Sequence, residues 1–495
     1  MNFRIFISMA AIVVATGELH AQYSSDALRF SQTQYGSTAR FKAIGAQTGV
    51  GGDLSSVGSN PAGVGLFTRS EFSLTPEFNS HSADAEYLGV RTLGKKDQIG
   101  LAHAAVVWNS TVSKPKGANL DEGWLSFNFG LGYNRTNAFS NNINYSGTNK
   151  KNSVADYYSE QATENYGAPN SLLAGTLEKM AYDNYLIGYD SRGYYFPETD
   201  VNSKQSQNNI RTGSQSEINL TFGGNYSNKF YVGASIGLAN INYNTNGEYK
   251  EVGFNVTENS NYDLSYRQTQ NTKGSGVNAK IGAIFRPSPN VRLGATFQTP
   301  TWYTIDDSYS EVLDTKYAKI VDGATQYLNT KEIYNFTYKL RTPMKLSGGI
   351  GYFFDNQGFI SADVDYVDYS TINLSPVNTD DNITISNNNF DIINNYKSAV
   401  NYRIGAEYKV QKIMIRAGYG VQGNPYKSLE NAKFNINTYS GGLGYRVKNH
   451  YIDLSYQNVI NNSDQKPYTL NDGSGPVASL KNTRNNIFIT IGTRF

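Results

Sequence analysis

Over most of its length, the chain alternates apolar residues with small or polar ones in stretches of roughly ten positions. The last stretch shows the pattern clearly. Ile487, Ile489 and Ile491 fall on one face, Thr490 falls on the other, and the chain ends at Phe495. A period of two is typical of β-strands that have one face against an apolar environment. The sequence therefore predicts an all-β protein.

The alternation predicts about fourteen antiparallel strands, an even number, as a single-chain outer-membrane barrel requires when both of its ends lie on one side. Short connections alternate with long ones, which is also typical of such barrels. The largest predicted loop spans 136–213, and further long loops are expected at 247–274 and 306–336. The predicted strands are 71–80, 98–109, 124–135, 214–226, 229–246, 275–286, 290–305, 337–354, 359–371, 397–409, 412–421, 435–447, 450–461 and a last strand that ends at Phe495.

Charged side chains favour one face of each predicted strand. Arg403 and Glu407, for example, oppose Tyr402 and Ile404. A charged side chain at lipid mid-depth costs roughly 2–4 kcal/mol, so the charges should point into the lumen and the apolar side chains into the lipid. Residues 70–495 are therefore predicted to form a transmembrane antiparallel β-barrel in the cell outer membrane.

The composition agrees with this prediction and excludes several other classes of protein. Charged residues make up only 17% of the chain, below the roughly 25% that is usual in soluble proteins. A net charge of +2 argues against a nucleic-acid partner, and the absence of cysteine excludes disulfides, iron–sulfur clusters and cysteine-based zinc sites. Residues 1–21 have the layout of a secretory signal peptide, with Arg4 ahead of an apolar stretch and Ala21 at the predicted cleavage point.

Residues 22–69 differ from the rest of the chain. They are rich in Gly, Ala and Ser, and their scattered apolar positions do not alternate. Such a segment cannot bury enough surface to fold alone, so it must pack against another part of the protein. We expect it to form a plug in the barrel lumen.

This segment ends in Asp53-Leu54-Ser55-Ser56 and Asn60-Pro61-Ala62-Gly63, before strands that begin at Glu71-Phe72-Ser73. It resembles the hatch of the FadL/TodX family of outer-membrane long-chain fatty-acid transporters, in particular the branch often labelled haemin receptor. The resemblance implies a fourteen-stranded barrel with an N-terminal plug, in which Asn60, Pro61 and Gly63 belong to the hatch. It covers nearly all of the mature chain and continues through Arg286-Pro287, Thr299-Pro300-Thr301, Gly405-Ala406-Glu407-Tyr408, Arg416-Ala417-Gly418-Tyr419-Gly420 and Tyr439-Ser440-Gly441-Gly442.

An apolar stripe in the largest loop is the first candidate for contact with a hydrophobic ligand. Leu173, Leu177 and Met180 fall at i, i+4 and i+7 of a helix-compatible run over 170–182. The stripe is either an external groove that first takes the ligand or the packing face of a loop helix.

Two glycines in the third predicted strand are the second candidate. Gly130 and Gly132 remove bulk from the face of that strand which points into the lumen. The resemblance implies that a kink in the third strand opens a lateral gate toward the bilayer, and glycines permit such a bulge. The alternative is that they simply leave room for the plug.

Four basic residues with lumen-facing parity are the third candidate, namely Arg341, Lys345, Arg403 and Arg416. They either hold a ligand carboxylate through charge-assisted hydrogen bonds or form ion pairs with lumen acids, which would hold the plug and brace the wall.

The function that follows is passive uptake of hydrophobic small molecules, with long-chain fatty acids as the class that the resemblance implies. The chain is expected to be a monomer in contact with outer-membrane lipid, with no cofactor, metal or nucleic-acid partner. No enzymatic activity is expected, because the chain has no phosphate loop, and none of its histidines has the neighbours of a catalytic triad. Three alternatives stay open: a non-transporting adaptor in a surface or secretion complex, a general porin, and haemin binding, although the four histidines provide no pair for one iron.

Overall fold

An antiparallel sheet closes on itself in this computed structural model, which describes residues 12–13, 20–117, 119–377, 382–428 and 434–495. Within those residues, fourteen strands form a barrel in which each strand pairs with the next. The last strand pairs with the first from Glu71↔Arg494 to Tyr87↔Ala478. The predicted barrel is thereby confirmed, whereas the predicted signal peptide, 1–21, lies almost wholly outside the described residues.

The bounds of the elements are as follows. The barrel strands are β1 (Glu71–Tyr87), β2 (Val90–Thr111), β3 (Trp124–Ala138 and Asn141–Asn149), β4 (Ser203–Tyr226), β5 (Phe230–Asn255), β6 (Ser260–Ser288), β7 (Val291–Gln298 and Trp302–Val321), β8 (Ala324–Arg341 and Lys345–Phe354), β9 (Gly358–Asp368), β10 (Ser398–Val410), β11 (Ile413–Gln422), β12 (Ile436–Val447), β13 (His450–Lys466) and β14 (Ala478–Arg494). The helices are α1 (His20–Ser31), α2 (Ala39–Ile44), α3 (Val154–Asn165), α4 (Leu177–Asp183) and α5 (Asn382–Asn395), with 3-10 helices at Leu54–Val57, Pro61–Leu66, Pro169–Ser171 and Tyr369–Thr371. Short strands also occur at Ile12–Val13, Ile187–Tyr189, Tyr195–Pro197 and Asn373–Pro376.

The outer surface of the barrel carries the apolar belt that the alternation predicts. In β6, Val277, Ile281 and Phe285 are exposed on the outer face, while Asn278 and Lys280 are buried toward the lumen. A continuous apolar belt of this kind is what a barrel presents to lipid. Among the described residues, no helix is both long and apolar enough to span a bilayer.

Several predicted loops are strands that continue beyond the belt. Residues 81–97, 247–274 and 306–336 lie largely in β1, β2 and β5–β8. There the order of the faces is reversed, because Leu264 and Tyr266 are buried inward while Thr269 and Asn271 face solvent. Side chains still alternate between the two faces in these stretches. Because the outward-facing side chains are polar, the pattern does not indicate a strand in contact with lipid, and the sequence therefore predicts loops.

Two prolines interrupt neighbouring strands at the same level. Proline has no N–H to donate to a ladder, and Pro300 and Pro343 divide β7 and β8 into two segments each. The strands remain joined there because Thr301 N donates to Thr342 Oγ1 at 2.9 Å and Thr342 N donates to Thr301 O at 3.1 Å.

The interruption changes which face of β8 points into the lumen. Before it, Leu340 is buried inward and Arg341 is exposed on the outer face; after it, Met344 faces outward and Lys345 is only partly exposed. The prediction that Arg341 is a lumen base is therefore wrong. Assuming strict alternation across Thr342–Met344 places the side chain of Arg341 on the lumen face, whereas it lies on the outer face.

The predicted plug segment crosses the lumen and contacts strands all around the wall. Its α2 and the loop that follows bind one side, where Ala39 N donates to Thr490 Oγ1 at 2.7 Å and Thr48 N donates to Asp363 at 2.9 Å. Its 3-10 helices bind the other side, where Asn128 donates to Val64 O at 2.7 Å. These backbone contacts fix the segment in the bore.

Helix α1 fills the outer part of the lumen. Tyr23 and Phe30 are buried among inward-facing aromatic side chains, with ring centroids 5.2 Å from Tyr338 and 5.9 Å from Tyr243. The carboxylate of Asp26 accepts a hydrogen bond from Gln270 at 2.7 Å. Helix α1 thus packs on both apolar and polar side chains of the wall.

The plug approaches the wall closely at Gly405 of β10. A Cβ atom at this position would lie 2.7 Å from Ile44 Cγ2 of α2, closer than real Cβ contacts come. We expect Gly405→Val to displace α2 and to raise the single-channel conductance for small ions in planar bilayers. Gly441→Val is the matched control, because a Cβ there would meet only Arg416 O at 3.7 Å. Equal conductance of the two variants would show that the close approach does not seal the bore.

Candidate ligand cavity and lateral gap

Strand β3 leaves its neighbour β2 part-way up the barrel. The two strands pair only from Thr111↔Ser126 to His103↔Asn134. Above that point, the first segment of β3 pairs with β4 alone, and the second segment, Asn141–Asn149, continues on β4. No backbone ladder is described between β2 residues 90–102 and β3, so the hydrogen bonding of the wall is interrupted here, although the second segment still packs on β2, where a Cβ at Gly94 would collide with Asn142 O. This interruption is the lateral gap.

The second segment of β3 bends into the lumen beside the gap. Ile143 and Tyr145 form a buried cluster with inward-facing residues of β1 and β14, among them Ala85, Tyr87 and Leu480. At the lower end of the gap, β2 presents the exposed apolar side chains Ile99 and Leu101 on its outer face, whereas Lys95 and Asp97 above them are exposed and charged. The gap therefore lies between a lipid-facing edge and the barrel interior.

A cavity of about 230 Å³ lies between the N-terminal segment and the wall next to this gap. Asn137, Phe139 and Asn141 line it at the interruption of β3. Its charged side chains are all basic, namely Arg29, Lys42, Arg211 and Arg484, while His81 and neutral amide and hydroxyl side chains make up the rest of its polar lining.

Three of these basic side chains form no ion pair among the described residues, and the carboxylate that acts on Lys42 and Arg484, that of Glu77, is already paired with Arg135. Arg29 forms an ion pair with Asp26, but no ion pair is found for Lys42, Arg211 or Arg484. The Nε of Arg211 is buried without a hydrogen-bond partner. The cavity thus carries an excess of positive charge.

Sequence reasoning missed Lys42 and Arg211 for identifiable reasons. Lys42 lies in the predicted plug, where no strand parity was available, and Arg211 fell in the predicted loop 136–213. The signal for Arg211 was present, because the alternation of the fourth strand continues upward through Gln205 and Gln207.

Solved structures share this architecture along nearly the whole chain. The toluene transporter TodX of Pseudomonas putida superposes with a TM-score of 0.54 at 13% identity, covering 93% of this chain and 99% of that chain. A Pseudomonas aeruginosa FadL homologue superposes with a TM-score of 0.52 at 12% identity, covering 94% and 99%. The chain has the FadL/TodX fold. No protein-family model and no curated protein sequence matches it.

Within the FadL/TodX fold, the two glycines proposed as a gate lie below the gap. Gly130 and Gly132 occupy the regular ladder opposite Val107 and Ala105. Cβ atoms at the two positions would lie 2.9 and 3.0 Å from methyl carbons of Val57 in the plug. The position of the two glycines agrees with the alternative interpretation, that they leave room for the plug. The interruption of β3 itself lies at Phe139 and Ser140.

The remaining predicted lumen bases are engaged in ion pairs. Arg403 donates to Asp365 at 3.0 Å, and its guanidinium lies 4.7 Å from the ring centre of Tyr35 in the plug. The same carboxylate is 3.4 Å from Lys345. These side chains connect plug and wall, which leaves them little capacity for a ligand.

Arg416 is held in the same manner. It donates to Glu407 and to Asp453, each at 2.6 Å, and Arg40 of the plug donates to the same Glu407 at 2.8 Å. A plug arginine thereby shares a carboxylate with a wall arginine.

The predicted hatch residues organise the plug from within. The side chain of Asn60 accepts from Ala62 N at 3.1 Å and donates to Thr48 O at 2.8 Å. Pro61 begins the following 3-10 helix, where a proline costs no hydrogen bond, and a Cβ at Gly63 would meet Ser56 Cβ at 2.8 Å.

The outer end of the barrel is covered by the loop between β3 and β4, residues 150–202. The predicted helix over 170–182 is wrong in its first half, because Gly175 has φ +80° and Thr176 caps α4. Leu177 and Met180 are buried beneath the loop, whereas Leu173 is 64% exposed and does not join them. The three residues therefore form no common groove.

A buried carboxylate anchors this covering loop to the strands. Glu251 of β5 accepts from Val154 N at 3.1 Å at the start of α3, and from the hydroxyls of Tyr249 and Tyr262 at 2.6 Å each. Ser153, the N-cap of α3, also donates to it. Tyrosine side chains surround the site and fill the outer end of the barrel.

The loop also contains a carboxyl group that responds to pH. Burial and the nearby Glu258 raise the pKa of Glu198 from 4.5 to about 7. A pKa raised by folding stabilises the folded loop at low pH, and this contribution is lost as the pH rises through about 7. We expect the loop to resist external protease better at pH 5.5 than at pH 8. Glu198→Gln should remove the difference, while the exposed neighbour change Asp200→Asn should retain it; the reverse result would contradict the assignment.

Proposed function

We propose that the protein is an outer-membrane channel for the passive uptake of hydrophobic molecules that carry an acidic head group, with long-chain fatty acids as the ligand class. The observation that carries this proposal is the cavity beside the lateral gap. Its charged side chains are all basic, and its wall at Asn137, Phe139 and Asn141 lies where β3 departs from β2, whose outer face carries the exposed Ile99 and Leu101.

The charge of the cavity favours an anionic ligand. Burying a cation without an ion pair is costly, and Lys42, Arg211 and Arg484 form none among the described residues, since Glu77 is paired with Arg135. A carboxylate in the cavity would compensate them through charge-assisted hydrogen bonds. A neutral aromatic such as toluene, which the name of TodX indicates for that protein, would leave them uncompensated.

The fold supports a sideways route for such a ligand. The covering loop and the Tyr-rich cluster fill the outer end of the bore, and the N-terminal segment crosses its middle. The gap beside β2 leads instead toward the hydrocarbon of the membrane, where the tail of a fatty acid is most stable. Transport would then avoid moving the tail through the polar surface layer.

Removing two of the cavity cations should separate acid uptake from uptake of neutral molecules. For Arg211→Met/Arg484→Met we expect oleate uptake into proteoliposomes to fall by at least about tenfold, because hydrogen bonds to charged groups contribute roughly 1.5–3 kcal/mol. Uptake of toluene, a neutral probe, should be unchanged.

Arg446→Met serves as the control, since Arg446 is a lumen-side arginine that packs on Tyr451 and does not line the cavity. Unchanged oleate uptake in the double variant would contradict the proposed site. Absence of uptake of either probe by the unmodified protein would favour the adaptor hypothesis instead.

A further inference from the structure

We propose that the ion pair between Arg135 and Glu77 is a latch that holds the lateral gap between β2 and β3 closed. Its consequence for transport rests on the proposed function, but the latch itself is argued from the strand geometry.

Arg135 stands at the point where β3 departs from β2. The last paired residue of β3 is Asn134, opposite His103, and the register toward β4 shifts at the next position. A β-bulge of this kind re-aims the side chain that it contains. Arg135 is therefore the first residue of β3 beyond the closed part of the wall.

Its partner lies two strands away. Glu77 belongs to β1 and pairs with Gly100 of β2, so the guanidinium of Arg135 must pass over β2 to form the ion pair. The missing side chain of Gly100 makes the space, because a Cβ atom there would lie 2.6 Å from Arg135 Nη1. The pair thus connects β3 to β1 across the unpaired stretch of β2.

The described hydrogen bonds and ion pairs across the gap are few, although the backbone at Asn142 of β3 packs on Gly94 of β2. Along β2 residues 90–102, the other described hydrogen bond to β3 runs from Thr92 Oγ1 to Asn144 O at 2.7 Å, near the top of the strand. The Arg135 and Glu77 side chains are only 6% and 5% exposed. At the level of Gly100, they occupy the space through which a ligand would leave.

The charges around the pair make it releasable. The charged groups that act on Lys42 are Glu77, Arg135 and Arg484, and those that act on Arg484 are Arg135 and Glu77. Three cations thus share one carboxylate. Arg135 is repelled by two of its neighbours and held by Glu77 alone, so loss of that attraction frees it to swing away from β2.

The absence of cysteine from the sequence permits a direct test by site-directed spin labelling. Ile99→Cys on β2 and Ile218→Cys on β4 place labels on either side of the gap, at outer-face positions that are 80% and 46% exposed. The distance between the labels is measured in detergent or lipid for the doubly labelled parent, Glu77→Gln and Arg135→Met. We expect both changes to shift the distribution to longer distances, by roughly the 5 Å that separates neighbouring strands.

Two further variants distinguish the latch from a general loss of stability. The exchanged pair Glu77→Arg/Arg135→Glu restores the attraction and should restore the parent distance. Gly100→Ala keeps both charges but displaces the guanidinium, and it should lengthen the distance as the single charge changes do.

The matched control is the Lys280–Glu217 ion pair, whose side chains are each 6% exposed and which joins β6 to β4 away from the gap. Glu217→Gln should leave the label distance unchanged. Equal distances in the parent and Glu77→Gln, or an equal shift in Glu217→Gln, would overturn the latch.

Transport gives an independent readout. Glu77→Gln should take up oleate several-fold faster than the parent in proteoliposomes, and the exchanged pair should return to the parent rate. If the parent takes up no oleate, the proposed function fails while the label distances still decide on the latch. If the parent takes it up and Glu77→Gln neither speeds uptake nor moves the labels, the latch fails and the proposed function stands.

Discussion

Inside a bilayer, every backbone N–H and C=O group must find a partner in the protein, because an unpaired one costs several kcal/mol in hydrocarbon. Pairing β14 with β1 satisfies that demand by leaving the sheet without an edge. The places where the ladder is interrupted then need other partners. At Pro300 and Pro343, two threonines exchange hydrogen bonds. Where β3 bends away from β2, a stretch of β2 loses its ladder partner and is covered by side chains instead.

Much of this architecture is legible in the sequence because lipid imposes a simple rule on it. Where the outer face meets hydrocarbon, as at Ile281 and Phe285, alternation gives the number of strands and the facing of their side chains correctly. Above the membrane the same period continues with the apolar side chains turned inward, as at Leu264 and Tyr266, and the rule no longer marks strands. A single irregularity such as Thr342–Met344 also reverses all subsequent facings, which is why Arg341 was assigned to the lumen.

The candidate site was less accessible to sequence reasoning, for a different physical reason. The alternation of a strand predicts that a basic side chain points into the lumen. Whether that side chain is free to bind a ligand depends on which acidic side chains lie near it in the folded protein. Arg403 and Arg416 meet carboxylates from neighbouring strands and from the plug, whereas Arg211 meets none among the described residues. The paired residues lie on segments that are far apart in sequence. Only the structure therefore distinguishes basic residues that form ion pairs from basic residues that do not.

The length of the strands sets how far the protein reaches from the cell. Strand β6 runs for 29 residues, which at about 3.3 Å per residue and a tilt near 40° corresponds to a height of roughly 70 Å. A lipid-facing band is only about 25 Å tall. Most of the remaining height lies outside the membrane, where the tyrosine-rich cluster beneath the covering loop closes the outer end of the barrel. The protein therefore first contacts its surroundings well above the bilayer.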